Sequence, residues 1–346
     1  MPLTKLQFRP GINREITSYS NEGGWFDMDK VRFRFGYPEK IGGWFKNTSA
    51  AFLGTCRALH PWVALDGTKY VGVGTHLKYY ILEGGAYYDI TPIRLTTSAG
   101  DVTFATGADT LNGAITADTE SITLNSVSGF PASGRIKIGS EEITYAAIAS
   151  ATLTGCVRGV SSTTAATHSD SAAVTCATIT VTDTAHGALD NDFVTFSGAA
   201  TLGGVITANV LNQEYQVTAI VSANAYQIEA REVATIQSIT TTEGLNPTFV
   251  FANTSDSGNG GGSIVGAYQV NTGLDTTISG NGWNAGGWGR GTWNSAANLS
   301  FSGLKLRIWS HDNFGEDLII NVRDEGVFYW DKSNGVTTRA VSLSSL

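Results

Sequence analysis

The chain has 346 residues and a net charge of −8, and 42% of its residues are hydrophobic. Charged residues make up only 15%, glycine is frequent at 41 residues, and methionine is rare at 2. This hydrophobic content argues against a disordered chain, and the glycine-rich composition argues against a helical bundle. No apolar run approaches the roughly 18 residues of a membrane-spanning helix, so no membrane span is predicted.

Residues 1–95 are predicted to form an N-terminal strap and a first group of strands. In residues 31–35 (VRFRF), charged and aromatic side chains alternate, so a strand would place Arg32 and Arg34 on one face. Such a face could bind nucleic acid, or it could form salt bridges with neighbours such as Asp27 or Asp29. The negative net charge disfavours stable nucleic-acid binding, although an acidic lumen would let DNA slide without sticking.

A pattern of three or four short strands with tight glycine turns occurs twice, once after Leu59 and once after Leu306. Each copy has the size and pattern of one blade of a β-propeller. Because a long segment separates the copies, the sequence predicts an all-β fold. It would be a partial β-propeller-like scaffold interrupted by two small inserted β-barrel or sandwich modules, with residues 283–346 forming a Trp-rich coil and the second blade.

The inserted modules are predicted over residues 96–176 and 177–252, followed by a glycine-rich, flexible return linker over residues 253–282. The segment from Thr96 to Gly282 holds 16 acids and 4 bases, whereas the flanks hold 14 acids and 18 bases. All eight tryptophans lie in the flanks. Changes in charge and aromatic content at the same places indicate domain boundaries there.

Several motifs carry a resemblance to a known family. Residues 8–12 (FRPGI), 22–25 (EGGW) and 31–44 (VRFRFGYPEKIGGW) resemble the opening of nozzle or hub proteins from the tails of short-tailed bacteriophages, whose known members carry propeller domains. Residues 282–293 (GWNAGGWGRGTW) are similar to segments of the same proteins. The inserted modules resemble small β modules scattered through phage structural proteins.

The resemblance implies a virion structural protein without catalytic activity. It would be a subunit of a homo-oligomeric tail ring, with six copies favoured, that extends the portal–adaptor channel and conducts DNA during ejection. It would be made in the host cytoplasm, and its partners would be the head-to-tail adaptor, the tail fibre proteins and viral DNA in transit. A closed propeller needs at least four blades. Either the natural chain is therefore longer, or the scaffold is open and completed by neighbours.

The predicted interface or packing residues comprise one pair of arginines and five tryptophans. Packing of a glycine-rich coil onto the scaffold or a neighbouring subunit is favoured for the last three tryptophans. The alternative is an aromatic sugar-binding platform, which would make the chain a receptor-binding or fibre-type module recognising cell-surface glycans. A carbohydrate-active enzyme is a much weaker alternative. The seven residues are Arg32, Arg34, Trp25, Trp44, Trp283, Trp288 and Trp293.

Neither a cofactor nor a metal is predicted, because the chemically active residue types have structural interpretations. His186 lies in a predicted turn and is interpreted as a packing residue. Glu141 and Glu142 are adjacent on a strand, so they point to opposite faces and cannot act as one acid–base pair. The segment 190–192 (DND) could hold calcium, although turn formation explains it equally well. Cys156 and Cys176 could pair, but buried thiols are favoured.

Overall fold

The computed structural model describes residues 9–43, 46–232, 248–273, 306–323 and 325–345. These residues form short antiparallel strands with very little helix, which confirms the prediction of an all-β fold. The described part of the chain contains no helix long and apolar enough to cross a membrane. The chain divides into two compact units, Met1–Ser49 and Ala50–Leu346.

The first unit contains one β-hairpin, made of β1 (Val31–Arg34) and β2 (Tyr37–Lys40). Phe35 and Gly36 connect the strands, and both have positive φ angles, 50° and 82°. Two consecutive left-handed residues are what a tight two-residue hairpin turn requires, and glycine adopts that conformation without a steric cost. None of the three buried hydrophobic clusters among the described residues includes a residue of this unit.

The second unit begins with a four-stranded antiparallel sheet, here called the first sheet. Tight turns at Gly67 and at Gly84-Gly85 join its strands, and all three glycines have positive φ. The strands pair in chain order, so the first and last of them form the two edges. They are β3 (Cys56–Val63), β4 (Lys69–Thr75), β5 (Tyr79–Glu83) and β6 (Ala86–Asp89).

After the first sheet the chain forms β7 (Ile93–Thr96) and β8 (Thr103–Ala105) and then enters a small module, here called module A. Module A has a four-stranded and a three-stranded sheet around a core of aliphatic side chains, Phe130, Tyr145 and two cysteines. Its strands are β9 (Ala108–Thr110), β10 (Ser121–Thr123), β11 (Gly134–Ile138), β12 (Glu141–Tyr145), β13 (Ala147–Ala149), β14 (Thr152–Thr154) and β15 (Ala173–Cys176).

The chain then builds module B, which consists of two four-stranded sheets packed on one core. One sheet has the order β19-β20-β16-β8 and the other the order β18-β17-β21-β7, so both incorporate a strand that precedes module A. Phe104 and Phe196 meet edge to face between the sheets, with ring centroids 5.0 Å apart. The remaining elements are β16 (Thr178–Thr182), β17 (Phe193–Ser197), α1 (Ala208–Leu211), β18 (Glu214–Gln216), β19 (Ala219–Ser222), β20 (Ala225–Glu229) and β21 (Val265–Gln269).

A second four-stranded sheet follows module B, and its inner face packs on the inner face of the first sheet. Trp330 stacks edge to face on Trp62 and Tyr70, at 6.3 and 5.9 Å between ring centroids, and Trp309 lies 5.0 Å from Tyr79. The two copies of the sequence repeat therefore share one core. The strands of this second sheet are β22 (Trp309–Phe314), β23 (Asp317–Val322), β24 (Val327–Trp330) and β25 (Val341–Ser342).

The order of the strands makes a nested insertion, in which module A interrupts module B and module B interrupts the pair of sheets. The sequence predicts that the first inserted module begins at residue 96. In the structure β8, which follows that residue, pairs with β16 of module B and not with module A. The segment predicted as a flexible linker, residues 253–282, also differs from its prediction. It contains β21, which lies between β17 and β7 and buries Tyr268 completely.

Two glycines of the predicted linker, Gly258 and Gly260, allow close packing against module B. A Cβ at Gly260 would lie 2.6 Å from the Phe104 ring, and one at Gly258 would lie 2.7 Å from the Leu202 carbonyl oxygen. Gly260 also has a φ of +86°. These positions need glycine because the backbone approaches the core of module B too closely for any side chain.

Candidate functional site

The predicted interface residues that the structure describes lie in the first unit. Arg32 on β1 forms an exposed ion pair with Glu39 on β2, with 3.2 Å between Nε and Oε2. The Arg34 guanidinium lies 5.5 Å from the centroid of the neighbouring Phe35 ring. Trp25 is half-buried and contacts Phe33, with 6.3 Å between ring centroids. Four predicted tryptophans fall outside the described residues: Trp44, Trp283, Trp288 and Trp293.

The partner of Arg32 differs from the two aspartates that the sequence suggests. Asp27 pairs with Arg14, and Asp29 lies 3.3 Å from Lys30. Arg32 reaches Glu39 because the hairpin register places these two residues directly opposite each other. Cross-strand pairs of opposite charge stabilise a hairpin only modestly when they are exposed.

Module A contains a fully buried carboxylate, Glu141, at the start of β12. Arg158 binds it in a bidentate manner, with both N–O distances at 2.7 Å, and His168 Nε2 lies 2.8 Å from Oε2. The backbone N–H groups of Gly159 and Ala166 donate to the same carboxylate. Burial raises the pKa of Glu141, but these donors outweigh burial and hold the pKa at about 2. The cluster pins residues 157–168 onto β12.

Arg135 on β11 connects module A to module B. Its guanidinium donates to Glu229 of module B at 3.1 Å and to Glu142 of module A at 3.2 Å. It also lies 4.1 Å from the centroid of the Phe249 ring. Because the Ala230 N–H donates to the Ala177 carbonyl at 2.8 Å, backbone pairing continues across the same junction. The two modules are thus joined by both charge and main-chain contacts.

Four charged side chains connect module B to both sheets of the scaffold. Lys78, in the turn after β4, is almost fully buried and pairs with Asp89 at 2.7 Å and with Glu214 of module B. Arg339, next to β25, pairs with the same two carboxylates at 3.2 and 3.0 Å. Burial raises the pKa of Asp89, but Lys78 and Arg339 outweigh burial and hold the pKa at about 2. Two cations and two anions alternate, so each charge has two opposite neighbours.

Asp190 and Asp192, the aspartates of the calcium alternative, accept hydrogen bonds from protein donors. Asp192 is buried and accepts from the Thr272 N–H at 2.6 Å, from the Thr272 hydroxyl at 2.9 Å and from the Leu189 N–H at 2.8 Å. Asp190 accepts from the Ile220 N–H at 2.9 Å. Within the part of the chain that the structure describes, no group of three or more His, Cys, Asp or Glu side chains is arranged to hold a metal ion.

The core of module B holds the only buried cluster among the described residues that combines a histidine, a carboxylate and tyrosines. The Tyr268 hydroxyl donates to Asp183 at 2.6 Å and lies 2.7 Å from the Tyr226 hydroxyl. His186 packs 4.8 Å from the Tyr226 ring centroid. All four side chains are at most 1% exposed, so a substrate has no access to them. Burial lowers the pKa of His186 and keeps it neutral, which suits a packing residue.

All three cysteines are free thiols. Cys156 and Cys176 lie in the core of module A, and burial raises the pKa of Cys176 to about 12. Buried thiols with a raised pKa are poor nucleophiles and poor metal ligands.

No family model, no curated protein and no solved structure matches this chain.

The sequence does not predict the three charged clusters, around Glu141, Arg135 and Lys78. In module A, Glu141, Arg158 and His168 have a spacing that fits no motif. At the other junction, Lys78 and Glu214 lie 136 positions apart in the chain. Only the assembled fold brings these charges together.

Proposed function

We propose that this chain is a structural subunit of a bacteriophage virion, in a tail nozzle or hub ring that extends the portal–adaptor channel and conducts DNA during ejection. The chain would act as a rigid part of a homo-oligomeric wall and not as an enzyme. The N-terminal and Trp-rich motifs support the class of protein. The charged junctions between modules A and B and the two sheets support a rigid subunit.

The observation that carries the proposal is the position of the basic side chains in the segment from Thr96 to Gly282. Arg135 and Arg158 are paired with buried or half-buried carboxylates. Arg231 donates to the Glu214 carbonyl and lies over the Tyr215 ring, and Lys137 lies 5.3 Å from the Phe251 ring centroid. Each of the four bases in this segment thus has an internal partner.

The acidic side chains of the same segment are more often exposed. An acidic surface repels the phosphate backbone, so it suits a wall or a neighbouring surface past which DNA moves without being retained. Among the described residues of the segment, the exposed acids are Asp101, Asp118, Glu120, Asp170, Asp190 and Glu232.

Immunogold labelling of purified virions from the phage that encodes the chain tests the proposal. We expect gold particles along the tail axis below the head, and a ring of chain copies around the channel in cryo-electron microscopy, six by the family resemblance. Labelling at fibre tips with threefold symmetry would instead support the receptor-binding alternative. Absence of the chain from virions would overturn both.

A further inference from the structure

The outer face of the first sheet is apolar and exposed along its edge strand β3. Strand alternation puts Trp62 against the second sheet, and Leu59, Pro61 and Val63 on the opposite side. Leu59 and Val63 are 62% and 63% exposed, although both are large aliphatic residues on a regular strand. Lys69 lies opposite Val63 in the register, so it adds a positive charge to this face, here called outer face 1.

The second sheet has a corresponding exposed face on the opposite side of the two-sheet stack. Trp309 and His311 of β22 point to the shared core, so Asp312 and Phe314 point away from it. Phe314 is 68% exposed, and Val341 on the edge strand β25 is 44% exposed. This surface, here called outer face 2, therefore combines apolar side chains with the negative charge of Asp312.

Both sheets therefore carry apolar side chains on two faces, a pattern typical of sheets that are covered on both sides. Within one chain the two sheets cover each other's inner faces, through contacts such as the Trp62–Trp330 pair. On the outer side of the first sheet, Phe52 packs on Tyr80, and Val73 and Leu82 are buried, so the open part of that face lies along β3. An exposed row of apolar side chains on an edge strand favours association with another β surface. The shared core already shows that one sheet of this chain accepts the other as a face-to-face neighbour.

A second copy of the chain offers the occupant that fits both faces at once. If outer face 1 met another outer face 1, the two Lys69 charges would repel, and the same holds for Asp312 on outer face 2. A contact between outer face 1 of one copy and outer face 2 of the next brings Lys69 towards Asp312 instead. Such a head-to-tail contact is heterologous, and it closes into a ring when the rotation per copy allows.

We propose that copies of this chain bind each other head to tail, with the exposed β3 edge of outer face 1 of one copy against outer face 2 of the next. The inference rests on the proposed function only for the ring form that the contact would take. The contact itself is measured with the purified chain, so its failure is separate from the location of the protein in a virion.

Two blocked variants test the contact by native mass spectrometry and sedimentation velocity. One variant carries Leu59→Asp and Val63→Asp, the other carries Phe314→Asp and Val341→Asp. We expect concentration-dependent oligomers of the unmodified chain and monomers of each variant alone. A one-to-one mixture of the variants should give dimers and nothing larger, because each partner keeps only one open face. The matched control carries Val157→Asp and Val221→Asp, which are 58% and 48% exposed in the inserted modules, and it should oligomerise like the unmodified chain.

Crosslinking gives a second measurement that does not depend on the stability of the aspartate variants. In a Cys56→Ser background, chains with Lys69→Cys and chains with Asp312→Cys are mixed and mildly oxidised. We expect a disulfide-linked dimer that contains one chain of each kind, and at least ten times less of either homodimer. A chain that stays monomeric at several hundred micromolar, a blocked variant that dimerises alone, or homodimers as abundant as the mixed dimer would overturn the proposal.

Discussion

Arg158 allows the contribution of a single buried ion pair to the stability of module A to be measured. Replacing Arg158 with methionine would leave the Glu141 carboxylate buried, with His168 and two backbone N–H groups as its remaining donors. Removing one partner of a buried pair costs about 3–5 kcal/mol, because the other charge stays desolvated. We therefore expect Arg158→Met to lower the free energy of unfolding by about this amount, measured by urea denaturation and far-ultraviolet circular dichroism.

The matched control is Arg32→Met, which removes the same side chain from an exposed pair. Arg32 and Glu39 are 57% and 44% exposed at their side chains, and exposed pairs contribute about 0–1 kcal/mol. Equal losses for the two variants would mean that the cluster around Glu141 does not hold module A together.

The same carboxylate makes the stability of module A depend on pH in the acidic range. The pKa of Glu141 falls from an ordinary 4.5 to about 2 in the folded chain, so the folded state binds the proton more weakly than the unfolded state. This contribution, about 3 kcal/mol, is fully present above pH 4.5 and is lost as the pH falls towards 2.

Thermal melts of the unmodified chain and of Glu141→Gln between pH 7 and pH 2.5 measure this contribution. We expect the difference in melting temperature between the two chains to be largest above pH 5 and to shrink steadily below it. A difference in melting temperature that stays constant with pH would show that ionisation of the Glu141 carboxylate does not stabilise the folded chain.

Thiol reactivity provides a further test at the level of single residues. Cys56 is exposed, whereas Cys156 and Cys176 are buried in the core of module A. Desolvation raises the pKa of all three thiols, so solvent access is what distinguishes Cys56. A buried thiol reacts only when the surrounding structure opens. We expect one cysteine per chain to react with a chromogenic disulfide reagent under native conditions and three in denaturant. Fast reaction of two or more thiols under native conditions would show that the core of module A is accessible to the reagent.

At the level of elements, the packing of the two sheets depends on a glycine facing a tryptophan. A Cβ at Gly74 on β4 would lie 2.6 Å from Cδ1 of Trp309 on β22, which is closer than real Cβ contacts. We expect Gly74→Ala to lower the free energy of unfolding by about 1–3 kcal/mol, because the sheets must move apart or the indole must leave its rotamer. Urea denaturation followed by tryptophan fluorescence measures the change.

Gly262→Ala is the matched control for this substitution. A Cβ at Gly262 would have no neighbour within 4 Å. We expect its stability to stay within about 0.5 kcal/mol of the unmodified chain, as is usual for substitutions away from packed positions. If Gly74→Ala were equally harmless, the two sheets would not be interdigitated at Trp309.

The elements differ in how far the sequence could predict them. The two repeat copies were readable because their strands are regular and their turns carry glycine at positive φ, at Gly67 and Gly84 for example. The sequence does not indicate that Thr103–Ala105 belongs to module B, because this strand is three residues long and its partner β16 follows only after module A. Alternation in residues 264–270 (IVGAYQV) could have indicated β21, but the preceding glycines suggested a linker.

The candidate site was less predictable than the fold. The acidic character of the segment from Thr96 to Gly282 can be counted directly from its residues. The partners of Lys78 and Arg135 across the module junctions could not be predicted from the chain, since Glu214 and Glu229 lie 136 and 94 positions away in sequence. Charged side chains in the interior follow no period and are fixed only when the modules pack together.

For the whole molecule, the nested order determines which parts can be removed. A deletion of residues 100–256, at the boundaries that composition suggests, would remove β17 from beside β21 and Glu214 from beside the buried Lys78. The fully buried Tyr268 would lose most of its neighbours in module B, and a desolvated ammonium would lose one of its carboxylates. We therefore expect this deletion to destabilise the scaffold, although the two repeat copies themselves are retained.

Module A alone should be removable, because the chain enters and leaves it at neighbouring points. The Thr106 hydroxyl donates to the Thr178 carbonyl at 3.0 Å, and β8 runs antiparallel to β16 with Ala105 opposite Thr180. Replacing residues 107–178 with Asn-Gly would turn these two strands into a hairpin with a favoured two-residue turn. The shortened chain loses the acceptors for the Ala230 and Ala252 N–H groups and for the Thr106 hydroxyl, but it keeps the cores of module B and of the two sheets.

We expect the chain without residues 107–178 to unfold in one cooperative transition, with a free energy lower by about 1–3 kcal/mol for the lost hydrogen bonds and ion pair. All eight tryptophans lie outside the removed segment, so near-ultraviolet circular dichroism and tryptophan fluorescence should match those of the full chain. The deletion of residues 100–256 serves as the comparison, and it should lose part of both signals at a lower temperature. If both deletions lost the tryptophan signature equally, module A would be needed to fold the scaffold, and the nested modules would act as one cooperative unit.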